Sequence, residues 1–413
     1  MSEHNAVNMR PLVLVLLAAA GTFALTMGAR QSMGLFLGSM NTSTGLGLGS
    51  ISLAFAFGQL WWGLTQPLAG IVADRYGPAR VLVVGVALVA AGTVLIPTMQ
   101  STAGLILAIG VLSAGGAGMA GPAVLMAATT RLVAPAKRAF ATGVVNAGGS
   151  FGQFVFAPIA QAVTSAAGWV AALQTLGLLT LLALPLAWVL RAPKAVAAAA
   201  GAAPVKQETT REAVGRALAD PSFRLLALGF SVCGFHVAFL ATHLPGVVAS
   251  CGLPPEVGAW ALAMLGLFNI AGSLGIGALM AWRGGQWRLK SLLSVIYAVR
   301  AVAVGVFLLT PKSTAVVLVF AALMGLTYLS TVPPTATLVA RFFGPAHMAT
   351  LFGLVMVSHQ VGGFFGAYLG GKVFQATGSY DGMWVADILL AVAAALIHLP
   401  IREARMGAVL KPA

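Results

Sequence analysis

"KAVAAAAGAAPVKQETTREAVGRALADPSF", residues 194–223, is the one long stretch of this chain that tolerates polar residues. Its Ala/Gly/Pro beginning reads as linker and "TTREAVGRALAD" as a short surface helix, with tethering as the role of the loop. The sequence on either side is of another kind. Of 413 residues, 59% are hydrophobic and 8% charged, with mean hydropathy +0.95. An ordinary soluble domain carries about 25% charged residues, and so few charges cannot cover the surface of so apolar a chain. The solvent has to be lipid. Apolar runs of transmembrane length, about 20 residues, recur at 12–38, 50–73, 79–98, 102–130, 139–165 and 169–190, then at 224–249, 256–281, 290–310, 313–340, 348–372 and 380–400. The expected fold is all-α integral membrane: twelve transmembrane helices in two pseudo-symmetric six-helix bundles, 1–193 and 224–413, joined by the loop at 194–223.

A net charge of +14 raises the question of a nucleic-acid partner, and the placement of the charges answers it. With Met1 in the cytoplasm, nineteen of the 23 Lys and Arg residues fall at cytoplasmic ends or loops. Lys312 and Lys372 fall at the outer side, and Arg30 and Arg300 inside spans. This is the positive-inside pattern of a chain with both termini cytoplasmic. The lipid bilayer accounts for the charge and no nucleic acid is needed. The first apolar run is too long for a cleavable signal peptide. Cys233 and Cys251 make neither a disulfide framework nor a metal cluster and read as small apolar packing residues. No metal and no cofactor is expected.

The two halves repeat at an offset of 210 residues. Arg131 matches Arg341, Pro135 matches Pro345, Gly143 matches Gly353, Gly152 matches Gly362 and Gly168 matches Gly378. His359 falls opposite Gly149, so one half has a titratable ring where the other has a small packing residue. Parallel six-span repeats about an axis normal to the membrane are a transporter plan, with substrate bound at midplane between them.

Between spans 2 and 3 lies "GIVADRYGPAR", residues 70–80. Gly70 allows close helix approach, Gly77 makes the turn, and Asp74 can cap a neighbouring helix while pairing with basic groups such as Arg75 and Arg80. Such a network would latch a gate. In the second half, "GALMAWRGGQWR", residues 277–288, has Ala281 where the acid would stand, so the second latch should be weak or absent. The motif resembles the loop signature of the major facilitator superfamily of secondary transporters, and spans, central loop and repeat resemble it over the whole chain. Within it the sequence is most similar to the bacterial monocarboxylate transporter and oxalate–formate antiporter branch, through "GARQSMGLFLGSM" (28–40), "YAVRA" (297–301), "LSTVPPT" (329–335) and "SHQVGGFFGAYLGG" (358–371). The resemblance implies a central cavity lined by spans 1, 4, 7 and 10 and a basic residue in span 1, which Arg30 fits. It also implies a basic group in span 11, near His359. The arginine that most members carry in span 8 is missing, and "FNIAGSLGIG" (268–277) offers only Asn269 and Ser273.

Ionisable groups inside a bilayer are costly and point to function by default. At 1.5 Å per residue, His236, His359 and Arg300 lie about 18 Å in from their cytoplasmic ends, near the middle of a hydrocarbon core about 30 Å thick. Arg30 and His243 lie nearer the outer side, and His236 and His243 share a face of span 7. Arg300 and Asp387 are expected to form a structural ion pair, with substrate binding as the other reading of Arg300. His359 either bonds a carbonyl across a glycine-rich contact or faces the cavity. The expected substrate-binding set is Arg30, Gln31, His236, Tyr328 and His359, with His359 and His236 as proton carriers. Gln59, Gln66, Asn146, Gln153, Asn269 and Ser330 are further polar lining. The glycine runs at 148–152 and 362–366 follow no strand, so they are packing surfaces and not phosphate loops.

The expected function is secondary active transport of a small organic anion, monocarboxylate-like and proton-coupled, by alternating access. With no ATP-binding motif, the energy comes from a gradient. The chain is not expected to be an enzyme, and it should act as a monomer in the bacterial inner membrane. A drug or metabolite exporter is the alternative, since "GQFVFAPIAQAV" (152–163) is a degraded relative of an exporter motif with Ala157 and Ala160 in place of glycines. A membrane sensor would need an output domain, for which no segment is long enough.

Overall fold

The computed structural model describes residues 11–134, 137–191, 209–282, 288–344 and 348–403. Most of the linker, Pro135 and Pro345 of the repeat, and both chain ends lie outside the described residues. Ten stretches are long and apolar enough to cross a membrane: Leu12–Thr44, Pro78–Thr98, Thr102–Leu132, Phe140–Val189, Pro221–Ser250, Pro255–Ala281, Leu289–Leu309, Thr314–Phe343, Thr350–Thr377 and Asp381–His398. Phe140–Val189 is two spans, because Gly168 breaks the helix with φ of 83°. Leu48–Tyr76, 29 residues and less apolar, is the second span. Among the described residues these make twelve, numbered spans 1 to 12 in chain order. In lipid no water is available to the backbone, so each segment satisfies its own N–H and C=O groups as a helix. Several starts carry proline at the first turn, where no N–H is required. Span 7 is also capped by Asp220, whose carboxylate accepts from the backbone N–H of Ser222 (2.7 Å) and Phe223 (3.1 Å). The surface helix Thr210–Ala219 forms where expected, with a capping box between Thr209 and Glu212. Bonds from the Thr209 backbone and hydroxyl hold the Glu212 carboxyl below its usual range.

Hydrocarbon gives helices no hydrophobic reason to associate, so close van der Waals packing at small residues does the work. In the first half, Gly148 and Gly152 of span 5 lie on the backbone of Ala20 and Ala24 in span 1. In the second, Gly362 and Gly366 of span 11 lie on the backbone of Ser231 and Phe235 in span 7. Gly168 and Gly378, the repeat pair at the exits of spans 5 and 11, both have positive φ, 83° and 71°. Between the halves, span 2 packs on span 11 and span 5 on span 8, contacts that exchange when the halves are exchanged.

Several contacts between the halves lie away from the basic loops. The Gly49 N–H donates to Gln375 Oε1 at 2.8 Å, Gly371 sits on Ser52, and Gly34 sits on the carbonyls of Ala241 and Thr242. Near mid-span, Gly63 meets Gln360 and Asn269 Nδ2 donates to Ser150 Oγ at 2.8 Å. Toward the basic end lies a cavity of about 150 Å³ lined by Asn146 and Ser150 of span 5, Asn269 and Ser273 of span 8, and Pro333 of span 10.

Span 10 carries a break that its apolar pattern does not announce. Its helix stops at Thr327 and resumes at Val332. Pro333 and Pro334 lack the N–H that a continuous helix would offer the carbonyls of Leu329 and Ser330, and at the helix end before them the carbonyls of Thr327 and Tyr328 accept from side chains.

The glycine contacts give a paired test. Gly362→Ala drives a Cβ into the Ser231 carbonyl, whereas a Cβ at Gly353 meets nothing within 4 Å. Overpacking of this kind costs about 1–3 kcal/mol. Purified Gly362→Ala should melt several degrees below the parent and Gly353→Ala within about one degree of it, as read by thermal unfolding in detergent.

Candidate functional site

Span 1 is longer than its apolar run implies. It continues through a 3₁₀ turn, Met33–Phe36, to Thr44. Arg30 therefore lies roughly midway along it and not toward one end. Its Nη2 donates to Gln59 Oε1 at 2.6 Å, and its guanidinium lies 5.1 Å from the centre of the Trp62 ring. Both partners stand on span 2, three residues apart and hence on one face. Among the described residues Arg30 has no carboxylate partner, so a mid-membrane cation is held by an amide oxygen and an aromatic face. Tyr328 of span 10 is close enough to interact with it electrostatically. The Tyr328 hydroxyl itself donates to the Val237 carbonyl at 2.9 Å, within its own half. Gln31 is half-buried beside Arg30, and it is Gln59 that makes the bond. Trp62 is absent from the expectation, although its spacing from Gln59 carried the signal.

The histidines do not join this group. His236, 1% exposed, has Nε2 3.2 Å from the Asp387 carbonyl and 3.3 Å from its Oδ1. His243 Nε2 lies 2.7 Å from the Ala367 carbonyl. The shared face of span 7 thus points into its own half. His359 is also buried, its ring 5.0 Å from that of Phe230 and beside the Cys233 thiol. The reason is local, since Gly234 lets the span 7 backbone press on the His359 carbonyl and the ring stays within the second half. The neighbouring Gln360 is the residue that reaches span 2.

The expected Arg300–Asp387 ion pair is not formed. The Arg300 Nη2 donates to the carbonyls of Thr327 and Tyr328, the latter at 2.7 Å, and lies 3.7 Å from Cys233 Sγ. The break in span 10 exposes these carbonyls, and an open helix C-terminus attracts a cation. Asp387 is left to His236. Cys233 is more than packing, because Thr331 Oγ1 donates to its sulfur at 3.2 Å and its thiol donates to the Tyr328 carbonyl at 3.5 Å.

At the basic end, Asp74 Oδ1 accepts from Arg131 Nη2 at 2.5 Å, which ties span 2 to span 4. Gly77 makes its turn with φ of 90°, as expected. Gly70 does not sit at a helix contact, since a Cβ there would meet nothing within 4 Å. Arg75 stacks on its neighbour Tyr76 and Arg80 is exposed. The second half does have a counterpart. Arg341, the repeat partner of Arg131, pairs with Glu403 at 3.2 Å, and Glu403 also accepts from the Lys290 N–H at 2.7 Å. The acid missing at Ala281 is supplied from beyond span 12.

Known proteins agree with this architecture. Residues 18–367 match the family model described as Major Facilitator Superfamily, and the chain belongs to that family, whose members are transporters and not enzymes. It is 26% identical over 392 residues to monocarboxylate transporter 13 of Rattus norvegicus, covering 94% of this chain and 88% of that protein. It is 25% identical over 385 residues to the oxalate:formate antiporter of Oxalobacter formigenes, covering 92% and 88%. Among solved structures it is similar to the nucleoside transporter NupG, with TM-score 0.77 at 13% identity over 95% of this chain and 100% of that one. It is also similar to a D-xylose-proton symporter, with TM-score 0.71 at 12% identity over 94% and 97%.

The Asp74–Arg131 pair is well exposed, and such pairs contribute about 0–1 kcal/mol. Asp74→Asn should leave membrane abundance and melting nearly unchanged while lowering turnover several-fold. Wild-type turnover at matched abundance would show that the pair is no latch.

Proposed function

We propose that the chain is a secondary transporter of small, monocarboxylate-like organic anions, carried with protons by alternating access between its halves. The observation that carries this reading is Arg30. A guanidinium at the centre of a span costs about 2.5–3.5 kcal/mol on insertion scales. Here, among the described residues, the neutral Gln59 and Trp62 are what offsets that cost. A transported carboxylate would complete it, because the fork of N–H donors matches a carboxylate's two oxygens. The two relatives that carry monocarboxylates or exchange oxalate for formate, by their names, support this anion class. The basic end is read as cytoplasmic with both termini there, and the arrangement of the halves is then the one that opens inward. The bacterial inner membrane remains the proposed location, and the monomer the functional unit.

The test is uptake into proteoliposomes of a panel of short mono- and dicarboxylates, with and without an inward proton gradient. At equal abundance, Arg30→Gln should raise the apparent KM for the preferred anion at least tenfold or abolish uptake. Arg30→Lys should keep part of it, since charge survives and the fork is lost. Unchanged KM in Arg30→Gln would remove the anion reading and favour an exporter of uncharged or cationic solutes.

A further inference from the structure

Away from Arg30, ionisable groups concentrate inside the second half, between spans 7, 9 and 12. Asp387 is fully buried and His236 Nε2 touches both its carbonyl and its Oδ1. A carbonyl can only accept, so Nε2 carries the ring proton of the neutral imidazole and the lone pair is left on Nδ1. That nitrogen is buried with no hydrogen-bond partner, and neither carboxylate oxygen has one of good geometry. The pair thus has two places to receive a proton and none occupied by a protein donor. Arg300, also buried, acts on Asp387 as a permanent positive charge.

The other titratable groups facing this region are Cys233 on span 7, Tyr297 on span 9, Tyr328 on span 10, His359 on span 11 and His398 on span 12. Four of them are committed to backbone. Tyr297 donates to the Gly229 carbonyl (2.8 Å), Tyr328 to Val237 (2.9 Å) and Cys233 to Tyr328 (3.5 Å), while His398 Nδ1 meets the Ala394 carbonyl (2.7 Å). His359, packed on Phe230 with neither ring nitrogen bonded, is the one rival.

Resting on the proton-coupled reading above, we propose that His236 and Asp387 form one proton-binding site, and that Arg300 passes its state to the break in span 10. With the pair deprotonated, the carboxylate draws the guanidinium away from the carbonyls of Thr327 and Tyr328. With one proton taken from water onto Nδ1 or the carboxylate, the guanidinium stays on those carbonyls, which is the geometry seen. The break is tied to the other half, since the Leu329 N–H donates to Asn269 Oδ1 at 3.0 Å and Asn269 Nδ2 donates to Ser150 of span 5. A change at Asp387 therefore reaches the seam between the halves through two side chains.

The site can be tested without any transported solute. Full-length protein in liposomes would be titrated from about pH 5 to pH 9 and followed by infrared difference spectroscopy, which reads carboxyl and imidazole protonation directly. The expected result is a titrating feature lost in Asp387→Asn, retained at shifted frequency in Asp387→Glu, and moved or lost in His236→Gln. Arg300→Gln, or Arg300→Lys if the first fails to assemble, should differ in the predicted sense. Removal of the cation moves the carboxyl titration up by about one pH unit or more, and the lysine moves it less. Arg30→Gln should leave the feature as it is, so unchanged anion uptake in that variant with an intact titration would sink the anion reading alone. Titrating bands unchanged in both Asp387→Asn and His236→Gln, or lost only in His359→Gln, would overturn the proposed site.

Discussion

Every charge and carbonyl in this molecule is subject to one constraint, the absence of water in the hydrocarbon around it. That constraint explains the position of Arg300. Span 10 is interrupted between Thr327 and Val332, which leaves carbonyls open inside the second half, and a buried guanidinium satisfies them. With Arg300 so engaged, Asp387 turns to His236, and Cys233 gains hydrogen-bond partners that a small packing residue would not need. The same constraint acts differently in the first half. There the half-buried guanidinium of Arg30 has, among the described residues, neutral partners only.

The fold was legible because its signals are long. Twelve apolar runs, the linker between them and the glycine repeat survive any error of a few residues. The ends of span 1 were less so, since "GARQSMGLFLGSM" continues into a 3₁₀ turn that composition does not mark. Pair partners were harder to read. Asp387 is the only deep acid candidate for Arg300 at a similar depth, and the match fails because a backbone break outcompetes a carboxylate. Such a break is written in Pro333 and Pro334, but the side chain that answers it is not. His359 was read from its rarity, whereas its direction depends on which face of span 11 meets Gly234.

The loop between spans 2 and 3 shows the same limit at the surface. Asp74 and Arg131 are 57 residues apart in sequence and meet through the turn at Gly77 and the path of spans 3 and 4. In the second half the local acid is missing at Ala281, and the role falls to Glu403, 62 residues after Arg341. The pseudo-symmetry thus preserves an arginine at the foot of spans 4 and 10 while changing the direction from which its counter-charge comes. A comparison of motif strings alone finds one such acid, and the folded chain pairs both arginines.

The hydrogen bonds Gly49 to Gln375 and Asn269 to Ser150, which join the two halves, are neutral, and the side-chain pairs Asp74–Arg131, His236–Asp387 and Arg341–Glu403 each lie within one half. A neutral bond contributes about 0.5–1.5 kcal/mol net, so each of these biases the ratio of the two states by no more than about tenfold. Neither link is screened by salt. Salt should accordingly leave these two links as they are and act on the balance between conformers through exposed ion pairs inside a half, such as Asp74–Arg131.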